Sequence, residues 1–243
     1  MPTVTSLKSQ ALKTKAKLAL RRVGVELGSY SNSFAARRQQ LLDYHGVNTV
    51  IDVGANVGQY ASALRAAGFK GRIVSFEPLS CPFAALQLAA AADPLWDVEM
   101  AALGAEDGVV TLQISEDDVF SSVLSSTAQN HSANSLTKTI GTEQAAIRRM
   151  DDVIDPSAGT AVKIDVQGFE DQVVAGGMSV LNEAPIVEME MTLTPLYQGQ
   201  WLIRDALAAM AELGFELALT ENIMLDRVSG RSLQINGIFV KSA

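Results

Sequence analysis

The sequence predicts an α/β fold: a parallel sheet with helices on both of its faces. Three observations carry this reading. From residue 46 onward, short apolar segments suited to strands alternate with longer helical ones. The first strand, Thr49-Val50-Ile51-Asp52-Val53, runs into the glycine turn Gly54-Ala55-Asn56-Val57-Gly58. The next, Arg72-Ile73-Val74-Ser75-Phe76, ends in the carboxylate of Glu77, 19 residues after Gly58, which is the spacing of a nucleoside pocket on such a sheet.

The chain has 243 residues, 48% hydrophobic and 19% charged, and divides into an N-terminal extension over 1–45 and one domain over 46–243. Residues 1–25 carry Lys8, Lys13, Lys15, Lys17, Arg21 and Arg22 with no acid. Alanine, leucine and lysine favour a helix there, but Leu7, Ala11, Leu12, Leu18 and Leu20 form no single apolar stripe. A second helix is predicted from Ser31 to His45, stopped by Gly46. Strand 49–53 then feeds a helix over 57–67, and strand 72–76 a helix over 80–92, followed by strand 97–101. Val109 to Ile114, after Asp107-Gly108, reads as an added strand, one arm of a hairpin. Residues 115–148 are rich in Ser, Thr, Asn and Gln, and a polar insertion of that length suits a substrate lid, the alternative being a disordered loop. Strand 161–165, helix 169–181, strand 185–191, helix 200–213 and strands 215–220 and 234–240 complete the pattern.

The formal charge of −8 argues against a general affinity for nucleic acid, and small molecules are the expected partners. The charge is uneven: residues 1–25 carry +6, and the rest has 13 basic against 27 acidic residues. The basic arm is either a solvated helix or a peripheral contact with an anionic membrane surface. Cys81 is the only cysteine, so neither an intrachain disulfide nor a C-x-x-C metal site can form. No apolar run approaches the ~18 residues needed to span a bilayer, and the stretch before Arg21-Arg22 is too interrupted for a signal peptide. The expected location is the cytoplasm.

Gly54 and Gly58 can take positive φ and bring bare backbone near a ligand. Glu77 can accept hydrogen bonds from two ribose hydroxyls and would repel a phosphate. A dinucleotide turn would have G-x-G-x-x-G, but Asn56 takes the place of the middle glycine and Gln59 or Tyr60 that of the third. Nor does any tyrosine have a lysine four residues on, the pair that short-chain oxidoreductases on this fold use. S-adenosylmethionine, which has the ribose and no phosphate, suits the turn better than NAD. An NAD-linked oxidoreductase or epimerase and a non-catalytic cofactor-binding protein are the alternatives.

Further blocks follow in order: Ala102-Leu103-Gly104 with Asp107-Gly108, Met150-Asp151-Asp152-Val153, Val162 to Glu170, Glu188 to Tyr197 and Leu213-Gly214-Phe215. With the glycine turn and Phe76-Glu77-Pro78, they make the chain resemble the FkbM-type S-adenosylmethionine-dependent methyltransferases over residues 45–240. It departs from the family pattern at Gln167, where Glu is common, and at Asn236-Gly237, where an acid is frequent. The resemblance implies a Rossmann-like seven-stranded methyltransferase sheet, mostly parallel with the last strand antiparallel. It also implies methylation of a hydroxyl, here expected on a sugar of a glycolipid or glycosylated secondary metabolite.

Methyl transfer to an alcohol needs alignment and removal of the hydroxyl proton, by a base or with a divalent cation. Asp165 closes the strand at 161–165, and Glu188 and Glu190 share one face of the strand at 185–191. Asp165 and Glu190 are the candidates for base or for holding Mg²⁺, with Lys163 placed to pair with Asp165. His131, in the polar insertion, is a further candidate base. Asp52, Gly54, Asn56 and Gly58 are expected around the methionine part of the cofactor, Glu77 on the ribose, and Ala102 and Leu103 near the adenine. Tyr197, Gln198 and Trp201 are expected on the acceptor side, with core packing as the alternative for Trp201.

Overall fold

Strands buried at nearly every position need cover on both faces, and three such strands form the centre of this molecule. The computed structural model describes residues 29–127, 130, 137–157, 159–226 and 228–242; the basic arm over 1–28 and His131 lie outside them. A 3₁₀ turn at Tyr30–Asn32 leads into α1 (Phe34–Tyr44), whose N-terminus is capped by Ser33 Oγ accepting from Ala36 N at 3.2 Å. Then come β1 (Thr49–Val53), α2 (Gln59–Ala67), β2 (Arg72–Phe76), α3 (Ser80–Ala90), β3 (Trp96–Glu99), β4 (Ala102–Leu103) and β5 (Gly108–Ser115). A 3₁₀ turn at Asp118–Phe120 precedes β6 (Thr139–Arg148), α4 (Met150–Val153), β7 (Thr160–Ile164), α5 (Glu170–Gly176) and α6 (Met178–Glu183). The chain closes with β8 (Ile186–Thr192), α7 (Ile203–Glu212), β9 (Phe215–Leu225) and β10 (Ser232–Lys241).

The main sheet has seven strands in the order β3-β2-β1-β7-β8-β10-β9. All pairs from β3 to β8 are parallel, while β10 is antiparallel to both β8 and β9. Alternation along each strand divides the side chains between two cores. Ile51, Val53, Val74, Phe76, Val162, Ile164, Val187 and Met189 pack under α5, α6 and α7 through Val173, Leu181 and Met210. Val50, Ile73, Ala161 and Ile186 face the other way, onto Leu42 of α1, Ala61 and Leu64 of α2 and Leu86 of α3. Helices thus cover both faces, as expected. On the α1–α3 face the apolar rows give way, toward the ends of the strands, to Asp52, Ser75, Lys163, Glu188 and Glu190.

Two expectations need correction. Residues 115–148 are not one continuous loop. Thr139–Arg148 is β6, which pairs antiparallel with β5 and parallel with β4 in a second, three-stranded sheet, so β6 is the other arm of the hairpin expected at Val109. The helix predicted over 169–181 breaks at Gly177 into α5 and α6. A Cβ on Gly176 would collide with the carbonyl of Gly104, so the break is where the helix layer meets the second sheet. Among the described residues no helix is long and apolar enough to cross a membrane.

Candidate functional site

From β1 the chain winds outward through β2 and β3, then returns to place β7 and β8 on the other side of β1. Strand order therefore reverses between β1 and β7, and open sheets of this kind hold ligands beyond the strand ends at that reversal. A cavity of about 310 Å³ lies there, within the range of small-molecule sites.

One end of the cavity is built by the glycine turn. Gly54 (φ +79°) and Asn56 (φ +47°) both adopt left-handed backbone. A Cβ on Gly54 would run into the carbonyl oxygen of Asp165, so only glycine lets β1 and the end of β7 approach this closely. The Asn56 amide oxygen accepts from Val57 N at 2.8 Å, which stabilises the turn. Glu77 Oε2 accepts from Asn56 N and Oε1 from Leu79 N, both at 2.8 Å. Each oxygen retains a second lone pair, and burial holds the carboxyl above its usual range despite these two backbone donors. Ala102 and Leu103 join Phe76, Leu79, Leu112 and Val123 as an apolar wall.

The other end is built by β7 and β8. Lys163 Nζ lies 3.2 Å from Asp52 Oδ1 and 3.4 Å from Asp165 Oδ2, and donates to Gly54 O at 2.9 Å. Burial alone would depress the lysine, but Asp165 and Asp52 more than reverse this and leave its pKa raised, so it is a fixed cation. Gln167, at φ +55°, donates from Nε2 to Asp165 Oδ1 (2.9 Å) and Glu190 Oε2 (2.8 Å), while its Oε1 accepts from Tyr197 OH (2.9 Å). Only one orientation of the amide satisfies all three. Gln234 Nε2 also donates to Glu190 Oε2, at 2.9 Å. Burial, then Asp165 and Glu170, push Glu190 well above the usual carboxyl range. Glu170, buried and accepting from Gly168 N and Val166 N, is raised to about 7, chiefly by burial.

This donor set does not fit Mg²⁺. The nitrogen between Asp165 and Glu190 is an N–H donor rather than a ligand. Among the described residues no three or more His, Cys, Asp or Glu side chains are grouped to hold a metal.

The model of the methyltransferase FkbM domain matches residues 52–217. The chain belongs to the FkbM methyltransferase family. An FkbM methyltransferase from Methylobacillus flagellatus KT superposes with a TM-score of 0.50 at 16% identity, over 79% of this chain and 44% of that one. TehB from Haemophilus influenzae gives 0.45 at 9% identity, over 84% of this chain and 62% of that one. A Burkholderia thailandensis 1,6-didemethyltoxoflavin-N1-methyltransferase, solved with bound 1,6-didemethyltoxoflavin and S-adenosylhomocysteine, gives 0.45 at 11% identity, over 100% of this chain and 93% of that one. The chain thus spans less than two thirds of the first two structures. No curated protein matches it. The likeness to the M. flagellatus structure bears on the fold alone, a Rossmann-like methyltransferase sheet.

Of the residues singled out in the sequence, Gly54, Asn56, Glu77, Ala102, Leu103, Asp165 and Glu190 line this FkbM-family cavity together. Others stand elsewhere. Asp52 is fully buried beneath the floor, bonded to Ser75 Oγ (3.2 Å), which in turn accepts from Trp96 Nε1 (2.9 Å). Gly58 starts α2 off the lining at φ +87°, and a Cβ there would meet the Trp96 ring, so backbone conformation and packing both call for glycine here. Tyr197, 2% exposed, stands behind Gln167, its one hydroxyl proton shared between Gln167 Oε1 and Phe120 O, the latter at 3.0 Å. Gln198 is exposed with its N–H on Ser125 O, and Trp201 packs against the larger core. None of these three lines the cavity, because the segment after β8 is drawn down onto Gln167 and the insertion. The facing wall comes instead from the insertion, through Asp118, Val119, Ser121, Ser122 and Val123. Ser122 Oγ donates to Gln167 O at 2.6 Å.

Arg38 and Tyr60 are among the lining residues for which the sequence pointed to no role. Arg38 of α1 donates from Nη1 to Glu188 Oε1 (3.3 Å), and Tyr60 of α2 donates from its OH to Glu188 Oε2 (2.8 Å). Burial raises both the Glu188 and the Tyr60 pKa. The available signal was Glu188 itself, an acid in an apolar strand that needs a partner. That partner lies 150 residues away in sequence.

Proposed function

We propose that this chain is an S-adenosylmethionine-dependent O-methyltransferase that methylates a sugar hydroxyl of a glycolipid or glycosylated secondary metabolite. One observation carries the reading: a single cavity joins a nucleoside-type end, Glu77 on a backbone cradle beside an apolar wall, to a base-bearing end at Asp165. When bound, S-adenosylmethionine supplies a methyl group on a sulfonium, an excellent leaving group. Glu77 accepts from the ribose hydroxyls, Gly54 and Asn56 bring backbone to the methionine part, and Ala102, Leu103 and Leu79 cover the adenine.

Asp165 takes the hydroxyl proton. Its side chain is 33% exposed, whereas Glu190 is buried behind it. Lys163 and Gln167 fix the two Asp165 oxygens in place, and alignment of this kind is the main contribution an enzyme makes to such a displacement. Asp118, Ser121 and Ser122 supply polar groups suited to a sugar on the facing wall. The family resemblance supports a sugar or secondary-metabolite acceptor, and the basic arm supports a lipid-borne one, met in the cytoplasm at the inner face of the membrane.

Calorimetric titration tests the reading directly. Wild type is expected to bind S-adenosylmethionine and S-adenosylhomocysteine and not NAD, equally with and without Mg²⁺. Glu77→Ala should weaken both sulfur nucleosides by about ten- to a hundredfold. Binding of NAD in preference to them overturns the assignment.

A further inference from the structure

The α1 side of the cavity holds a buried cation that the proposed reaction does not use. We infer that the Arg38–Glu188 pair is a subsite for a zwitterionic amino-acid group, the methionine end of the cofactor, with Arg38 binding its α-carboxylate. The inference rests on the cofactor reading above.

Two bases line the cavity among the described residues, Arg38 and Lys163. The Lys163 ammonium is fully engaged by Asp52, Asp165 and the Gly54 carbonyl. Arg38 is not. It is 8% exposed, and its buried Nε has no hydrogen-bond partner among the described residues. Buried donors are ordinarily paired, and a guanidinium presents several N–H groups in a planar fork matched to a carboxylate. Its plane is fixed, because the guanidinium carbon sits 4.7 Å from the Tyr60 ring centroid and 5.9 Å from that of Phe34. Beside it, Glu188 presents the opposite charge, as an amino-acid ammonium requires.

Placement agrees. Glu77 follows β2 and Glu188 lies on β8, with β1 and β7 between them. A ligand held by its ribose at Glu77 reaches Arg38 only through an extension of the nucleoside, which is where S-adenosylmethionine carries its amino acid. Arg38 also lies before the matched span of 52–217, so the family pattern does not supply it.

The full chain is titrated with S-adenosylhomocysteine and with 5′-methylthioadenosine, the same nucleoside without the amino acid. Wild type should prefer the former by about ten- to a hundredfold. In Arg38→Met this preference should collapse while affinity for methylthioadenosine stays within about twofold. Arg38→Lys keeps a charge beside Glu188, so it carries the test if Arg38→Met does not fold; it should lose most of the preference with the planar fork. Glu77→Ala should weaken both nucleosides alike. A wild type without preference, a preference retained in the Arg38 variants, or parallel loss of both nucleosides in them would each overturn the subsite. A wild type that binds neither nucleoside would instead overturn the cofactor reading on which it depends.

Discussion

Gln167 holds the β7–β8 end of the cavity together by donating to two carboxylates while accepting from Tyr197. A carboxylate in its place would put three acids side by side; the amide instead donates one N–H to each of Asp165 and Glu190. Glu170, just below, leaves a signature in stability. Its folded pKa is about 7 against an ordinary 4.5. Between those values the folded state holds the extra proton, so stability falls as pH rises through this window. Glu170→Gln keeps an acceptor for Gly168 N and Val166 N. It should therefore flatten that slope and raise stability by up to about 3 kcal/mol at about pH 8, with little change near pH 4. Urea unfolding at the two pH values reads the difference, and an unchanged slope would remove Glu170 as its source.

At the level of elements, residues 118–123 after β5 are tied down at the cavity. Gln113 and Ser122 exchange backbone hydrogen bonds, Ser122 Oγ donates to Gln167 O, and Tyr197 OH donates to Phe120 O. Ser122→Ala removes the tie to the Gln167 carbonyl and should destabilise the fold by about 1–2 kcal/mol. Amide exchange should speed up over residues 118–123 while S-adenosylhomocysteine affinity holds, and unchanged exchange there would mean the backbone bonds alone position the segment. The same elements show what a sequence displays. β1, β2, β7 and β8 were legible because both of their faces are buried and their residues read as apolar runs. β6 was not: its pattern is exposed or half-buried at every position but Ala145, so Thr139 to Gln144 carry no apolar period. Asp165, Glu190 and Glu77 were legible as acids at strand ends. Arg38 and Tyr60 were not, because helix surfaces commonly carry such residues and only the tertiary fold turns these two toward Glu188. Tyr197, Gln198 and Trp201 were expected on the acceptor side but do not line the cavity, since aromatic composition says nothing about which side of Gln167 a ring will occupy.

Across the whole molecule, charge is divided between a basic N-terminal stretch and an acidic remainder. If residues 1–28 bring the enzyme to a lipid-borne acceptor, removing them should abolish co-sedimentation with anionic vesicles and leave nucleoside binding intact. Co-sedimentation that persists without them would detach the membrane idea from the arm. The order of the sheet has another consequence, for biosynthesis. β9 has no neighbour in the main sheet except β10, and β10 is made after it yet sits inside it, against β8. A nascent chain can assemble β1, β2, β3, β7 and β8 as it leaves the ribosome, but β9 has nothing to pair with until residues 232–241 have emerged. Gln234, which donates to Glu190, arrives on that same strand. The β7–β8 end of the cavity is thus completed only after β9 has been made, by the strand that follows it.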